Sequence, residues 1–153
     1  MPITWTSDMD TGIDEIDSQH RRIVDYINQL EGAIEQKSRE VIGYVLDELT
    51  EYTLSHLAFE ESLQEEAGYA MAKEHKAVHD LFVKRVAGYK EKHNAGQDVS
   101  QQLHSMLSTW LVHHIKRDDM AYVDDVKACL DRLSASQENG SWLSRAIGNF
   151  FKA

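Results

Sequence analysis

An all-α fold, an up-down-up-down antiparallel four-helix bundle, is predicted by three features of this 153-residue sequence. Four stretches place apolar residues at steps of three and four, the period of a helix face. The one proline, Pro2, and only eight glycines leave too few turn residues for a β-sandwich or barrel. The breaks between the stripes are short, which makes successive helices antiparallel neighbours. The length and the 42% apolar share suit a single domain with a real core.

The elements follow in order. Residues 1–16 read as an ordered arm holding Trp5 and a turn at Thr11-Gly12. The first helix carries Ile16, His20, Ile23, Val24, Ile27, Leu30 and Ile34, with Asp17 or Ser18 as its cap and a break at Lys37-Ser38. The second carries Val41, Val45, Leu49, Tyr52, His56, Phe59, Glu60 and Leu63 and ends near Gly68. The third carries Met71, His75, Val78, His79, Phe82, Val86 and Tyr89 and stops at Asn94-Ala95-Gly96, a C-terminal capping signal. The fourth starts near Asp98 and carries Leu103, Leu107, Trp110 and His114, then Tyr122, Val126 and Leu130. Its stripe is less regular after His114.

The bundle is thus expected over 1–133, a polar linker over 134–140, and a short amphipathic helix over 141–153. That last segment gathers Trp142, Leu143, Ala146, Ile147, Phe150 and Phe151 on one half, with Arg145, Asn149 and Lys152 towards the other. It is expected to bury its aromatic face on its own bundle or on a protein partner. Contact with a membrane surface is less favoured, because two cationic side chains oppose a chain of net charge −10.

Composition narrows the classes. Sixteen basic against 26 acidic residues leave no footprint for nucleic acid. The single Cys129 excludes an intramolecular disulfide framework and reads as a small buried hydrophobe. The first ten residues lack the basic and apolar regions of a signal peptide, and no apolar run approaches the ~18 residues of a membrane span, so a cytoplasmic location is expected.

The unusual feature is the placement of the histidines. His20, His56, His75, His79 and His114 all fall on apolar faces, and Glu60 lies four residues after His56 on the same face. One imidazole in a core is ordinarily a hydrogen-bonded core residue. Five of them with a carboxylate, drawn from all four helices, need a common partner. The i,i+4 spacing of His75 and His79 sets two rings one above the other, able to share one ion. A carboxylate has two oxygens and can bridge two ions. Five nitrogens with bridging carboxylates exceed the needs of one tetrahedral zinc and suit two first-row ions. The remaining His93, His104 and His113 are expected at the surface or at helix ends.

With these residues the sequence resembles the hemerythrins. The family pattern of one histidine on the first helix, HxxxE on the second, HxxxH on the third and HxxxxD on the fourth reads here as His20, His56-Leu-Ala-Phe-Glu60, His75-Lys-Ala-Val-His79 and His114-Ile-Lys-Arg-Asp-Asp119. Flanking matches include Trp5, Gly68-Tyr69, Trp110 and Tyr122, over about residues 3–130. Ala70 and Leu63 depart from the pattern without touching a ligand position. The fourth helix poses a choice. On a straight α-helix Asp118 shares the face of His114, and Asp119 lies about 140° further round. The resemblance implies Asp119, and it implies His114 rather than His113.

The resemblance further implies two non-haem iron ions per chain. His75, His79 and His114 would hold one, His20 and His56 the other, with Glu60, Asp119 and an oxo or hydroxo group bridging. One position is left open, so reversible O2 binding for storage, delivery or sensing is expected, with Ile23 and Leu111 lining the O2 pocket. The alternative is a di-iron enzyme handling peroxide or nitric oxide, or an iron store. Glu-x-x-His, the motif of carboxylate-rich di-iron bundles, precedes none of the eight histidines. A histidine-rich site supports high-valent iron less, which favours carriage over catalysis.

Overall fold

The computed structural model describes residues 2–135 and 139–151, with side chains up to residue 132 and from 145 to 151. Helices α1 (Asp14–Glu35), α2 (Arg39–Ala67), α3 (Ala72–Asn94) and α4 (Ser100–His113) form the bundle. The fourth rod continues through a π-helical turn (His114–Asp119) and a 3-10 turn (Met120–Tyr122) into α5 (Val123–Ala135). Helix α1 packs on α2 and α4, and α3 packs on α2 and α4, which closes the ring of four.

Local chemistry fixes the helix ends. Ser38 caps α2 by accepting from the Val41 N–H, after Lys37 turns the chain with a φ of 56°. Gly68 ends α2 in the left-handed region, and the Tyr69 N–H returns to the Gln64 carbonyl. Helix α1 starts earlier than its predicted cap, at Asp14. Asp17 instead ties down the arm: its carboxylate accepts from the Thr11 N–H at 2.8 Å, the Thr11 hydroxyl at 2.7 Å and the Gly12 N–H at 3.1 Å.

Two apolar clusters fill the interior. The larger runs through the bundle and includes Ile23, Leu30, Leu49, Phe82, Leu107 and Leu111. The smaller joins Ile13, Ile16, Phe59, Leu63, Tyr122 and Val126. Along α1, His20 falls between Ile16 of the small cluster and Ile23 of the large one. Along the fourth rod, His114 and Asp119 fall between Leu111 and Tyr122. The polar layer thus lies where the two clusters meet.

Several expectations are corrected. Val41, Met71 and Val78 are exposed, so the buried stripes of α2 and α3 are narrower than read. His104 is buried within α4 rather than superficial, and His93, at the end of α3 as expected, is buried too. His93 lies one turn beyond Tyr89 of the α3 stripe, and a Cβ at Gly43 would come within 3.2 Å of its Nε2. His104 lies three residues before Leu107 on the α4 stripe, 3.8 Å from Glu31. His113 is exposed. Cys129 is buried, and burial raises its thiol pKa.

At the C-terminal end, α6 (Asn139–Phe150) packs on α2 and α5. Ala146 is buried, and Ile147, Phe150 and Phe151 pack against the small cluster. Phe151 sits 5.3 Å from Tyr52 and 5.7 Å from Phe59 between ring centroids. The predicted linker is shorter than read. Ser134 and Ala135 belong to α5, Asn139 and Gly140 to α6, and 136–138 lie outside the described residues. The side chains of Trp142 and Leu143 and residues 152–153 also lie outside them. No helix among the described residues is long and apolar enough to cross a membrane.

Candidate metal centre

All four rods deliver a donor to one point in the core. His20 comes from α1, His56 and Glu60 from α2, His75 and His79 from α3, and His114 and Asp119 from the π-helical turn. All seven are buried, the most exposed being His75 at 5%. Their donor atoms form two groups: Glu60 with His75, His79 and His114, and His20 with His56, Glu60 and Asp119.

The π-helical turn sends the two aspartates to different places. Its i→i+5 repeat places a side chain five residues on near the face of the first. Asp119 is therefore fully buried beside His114, with its Oδ1 3.0 Å from His114 Nε2. Asp118 stays a third exposed and accepts instead at His114 Nδ1, 3.2 Å away.

Each carboxylate divides its oxygens between the two groups. Glu60 Oε1 lies 2.7 Å from His75 Nε2, 3.0 Å from His79 Nε2 and 3.4 Å from His114 Nε2. Glu60 Oε2 lies 3.4 Å from His56 Nε2 and accepts from the Tyr122 hydroxyl at 3.0 Å. Asp119 Oδ1 faces His114 and His75, and Oδ2 lies 3.0 Å from His20 Nε2.

Glu60 is hydrogen-bonded to His75 and Tyr122, but the other close approaches leave donors unpaired. Both nitrogens of His20, Nε2 of His56 and both oxygens of Asp119 lack a hydrogen-bond partner. A buried polar atom left so costs about 1–3 kcal/mol. His79 Nε2 and His114 Nε2 also approach to 3.1 Å. Lone pairs converging on shared cations account for His20 Nε2, His56 Nε2, the Asp119 oxygens and the His79–His114 approach, though not for His20 Nδ1. The donor set, five imidazoles with two carboxylates, fits first-row metals.

Electrostatics agree with a site built for positive charge. Burial opposes ionisation of Glu60, yet the surrounding imidazoles hold its pKa well below the usual carboxylate range. Burial and the nearby Glu60 oppose the charge on Asp119, but His114 and His20 bring its pKa down. Burial likewise opposes a charged His75, and Asp119 and Glu60 outweigh it, raising its pKa to about 9. Glu60 and Glu61 raise His79, and Asp119, Asp118 and Glu60 raise His114, against their burial, whereas burial wins at His56 and lowers it.

The other sequence-predicted residues are nearby. Ile23 lies one turn after His20 and Leu111 one turn before His114, both buried in the large cluster. Trp110 stacks on the His114 ring at 4.5 Å and 12°. Four residues around the site had no role in the sequence reading as hydrogen-bond partners of its donors: Gln19, Glu61, Asp118 and Tyr122. Gln19 and Glu61 adjoin His20 and Glu60 in sequence, where a polar residue ordinarily reads as solvent-facing. Tyr122 sat on an apolar stripe, where only its ring was legible.

Comparison with known proteins gives a consistent picture. The Hemerythrin HHE cation binding domain matches residues 11–126. The chain is 48% identical over 149 residues to a bacteriohemerythrin of Stenotrophomonas maltophilia, covering 97% of each chain. It is 46% identical over 149 residues to one of Pseudomonas aeruginosa, with the same coverage. A crystal structure of wild-type hemerythrin superposes with a TM-score of 0.79 at 34% identity, covering 82% of this chain and 98% of that one.

Proposed function

This chain belongs to the hemerythrin family, and on that premise we propose that it binds O2 reversibly at a non-haem di-iron centre. His75, His79 and His114 would hold one iron, His20 and His56 the other, with Glu60 and Asp119 bridging them beside an oxo or hydroxo group. The pair of irons supplies reversible redox binding of O2, which no side chain of this core provides. The observation that carries this reading is the division of both carboxylates, one oxygen to each half of the cluster.

The protein's own groups do the rest. Glu60 and Asp119 hold the halves together and offset part of the metal charge. The half with two imidazoles is one nitrogen short of its neighbour, which favours it as the point of entry for an outside ligand. Ile23 and Leu111 keep the surroundings apolar and exclude water. Tyr122 fixes one oxygen of Glu60 by its hydroxyl. Five nitrogens against two carboxylates favour carriage over catalysis, for O2 storage, delivery or sensing.

The test is an iron count with spectra. Two irons per chain are expected, with a visible charge-transfer band that appears in air and fades on deoxygenation. One iron per chain, or a zinc-filled site indifferent to O2, overturns the reading.

A further inference from the structure

Three of the five core imidazoles have a protein acceptor at the ring nitrogen turned away from the cluster. His79 Nδ1 lies 3.0 Å from Glu61 Oε1, His114 Nδ1 lies 3.2 Å from Asp118 Oδ2, and His56 Nδ1 lies 2.7 Å from Gln19 Oε1. With each Nε2 lone pair aimed at the cluster, Nδ1 carries the proton and donates it to the acceptor.

The acceptors differ between the two halves. Both partners in the three-histidine half are carboxylates. The partner in the two-histidine half is a neutral amide, and His20 Nδ1 has no hydrogen-bond partner. Glu61 and Asp118 keep 28% and 33% of their side chains exposed, so both carboxylates also reach water. Gln19 is buried and can only offer its carbonyl dipole. A carboxylate on Nδ1–H draws the proton towards itself and makes the opposite Nε2 a stronger donor.

We propose that Glu61 and Asp118 rank the two metal positions, so that the His75–His79–His114 half takes its ion first and holds it more tightly. This rests on the di-metal reading of the cluster. The ranking leaves the His20–His56 half as the looser position, set by a neutral acceptor and not by burial, since both halves are equally enclosed. A third imidazole already favours the first half, so the contribution of the outer carboxylates has to be isolated by substitution.

The experiment titrates metal-free protein with Zn2+ under a competing chelator and follows the ring signals of the five histidines by NMR. At one equivalent the rings of His75, His79 and His114 are expected to shift, with His20 and His56 following at the second. Glu61→Gln and Asp118→Asn keep the shape and an acceptor. Each is expected to weaken the first ion by about 10-fold and leave the second unchanged. The Nδ1–H signals of His79 and His114 should move upfield in the respective variants, which a purely packing role would not produce. Gln19→Glu should tighten the second ion and move the His56 Nδ1–H signal downfield. Filling of the His20–His56 half first, or equal weakening of both ions in the variants, overturns the proposal while the di-metal centre stands. Failure to bind two ions overturns both.

Discussion

At the scale of single residues, two adjacent aspartates have opposite duties because the backbone between them is not α-helical. Asp119 is enclosed and turns one oxygen to each half of the cluster, whereas Asp118 reaches the outer nitrogen of His114. Asp119→Ala is therefore expected to drop iron content below two per chain and to abolish the air-dependent band. Asp118→Ala should retain two irons when metal is in excess, although its first ion is held less tightly. Metal analysis with a spectrum in air distinguishes the two; the reverse outcome would return the inner role to Asp118. The five histidines and Glu60 were legible because apolar stripes at helical spacing place them inward. The burial of Asp119 among the donors was expected only through resemblance, since α-helical geometry applied to HxxxDD puts Asp118 on that face. His93 lies in the last turn of α3, one of the two places expected for it, whereas His104 was misread because a histidine outside the ligand spacing has no pattern of its own until its neighbouring helix is known.

At the scale of elements, the π-helical turn and α6 are the two departures from a plain bundle. The irregular stripe after His114 is the trace of one extra residue per turn, visible in the sequence but unassignable without the fold. Helix α6 was legible as an amphipathic segment, and the aromatic faces of Tyr52 and Phe59 on α2 were not legible as its dock. Phe59 is fully buried, its ring 6.5 Å from Phe150 and 5.7 Å from Phe151. Both phenylalanines are half-buried, so Phe150→Ala with Phe151→Ala should destabilise the protein by about 2 kcal/mol. Iron content should remain at two per chain, because the ligand-bearing turns lie on α1 to α3 and the π-helical segment. Thermal unfolding and metal analysis of the double variant test this together. Unchanged stability would mean that the packing of α6 contributes nothing to the bundle, and loss of iron would place α6 among the supports of the site.

At the scale of the whole molecule, the same buried cluster makes the metal-free and metal-loaded proteins respond oppositely to pH. His75 is raised to about 9 in the metal-free fold, and His79 and His114 are raised as well. A group raised on folding contributes stability in full below its unfolded pKa and loses it as pH rises through the folded pKa. Metal-free protein is therefore expected to lose stability between about pH 6.5 and pH 9, with Tm falling by roughly 5 °C. Metal must displace those protons, so its affinity should climb over the same interval and level off above about pH 9. The acidic surplus of this chain, −10 overall, supplies a competing effect, since self-repulsion also changes with pH. Salt separates the two: surface repulsion is screened within a Debye length of about 8 Å at physiological ionic strength, while buried pairs are screened much less. Melting curves of metal-free protein across this range, repeated in high salt, should keep their downward trend, while chelator competition with Zn2+ shows the rising affinity. A metal-free Tm that stays level or rises through pH 9 in high salt would mean that the imidazoles of the core are not held protonated by Glu60 and Asp119.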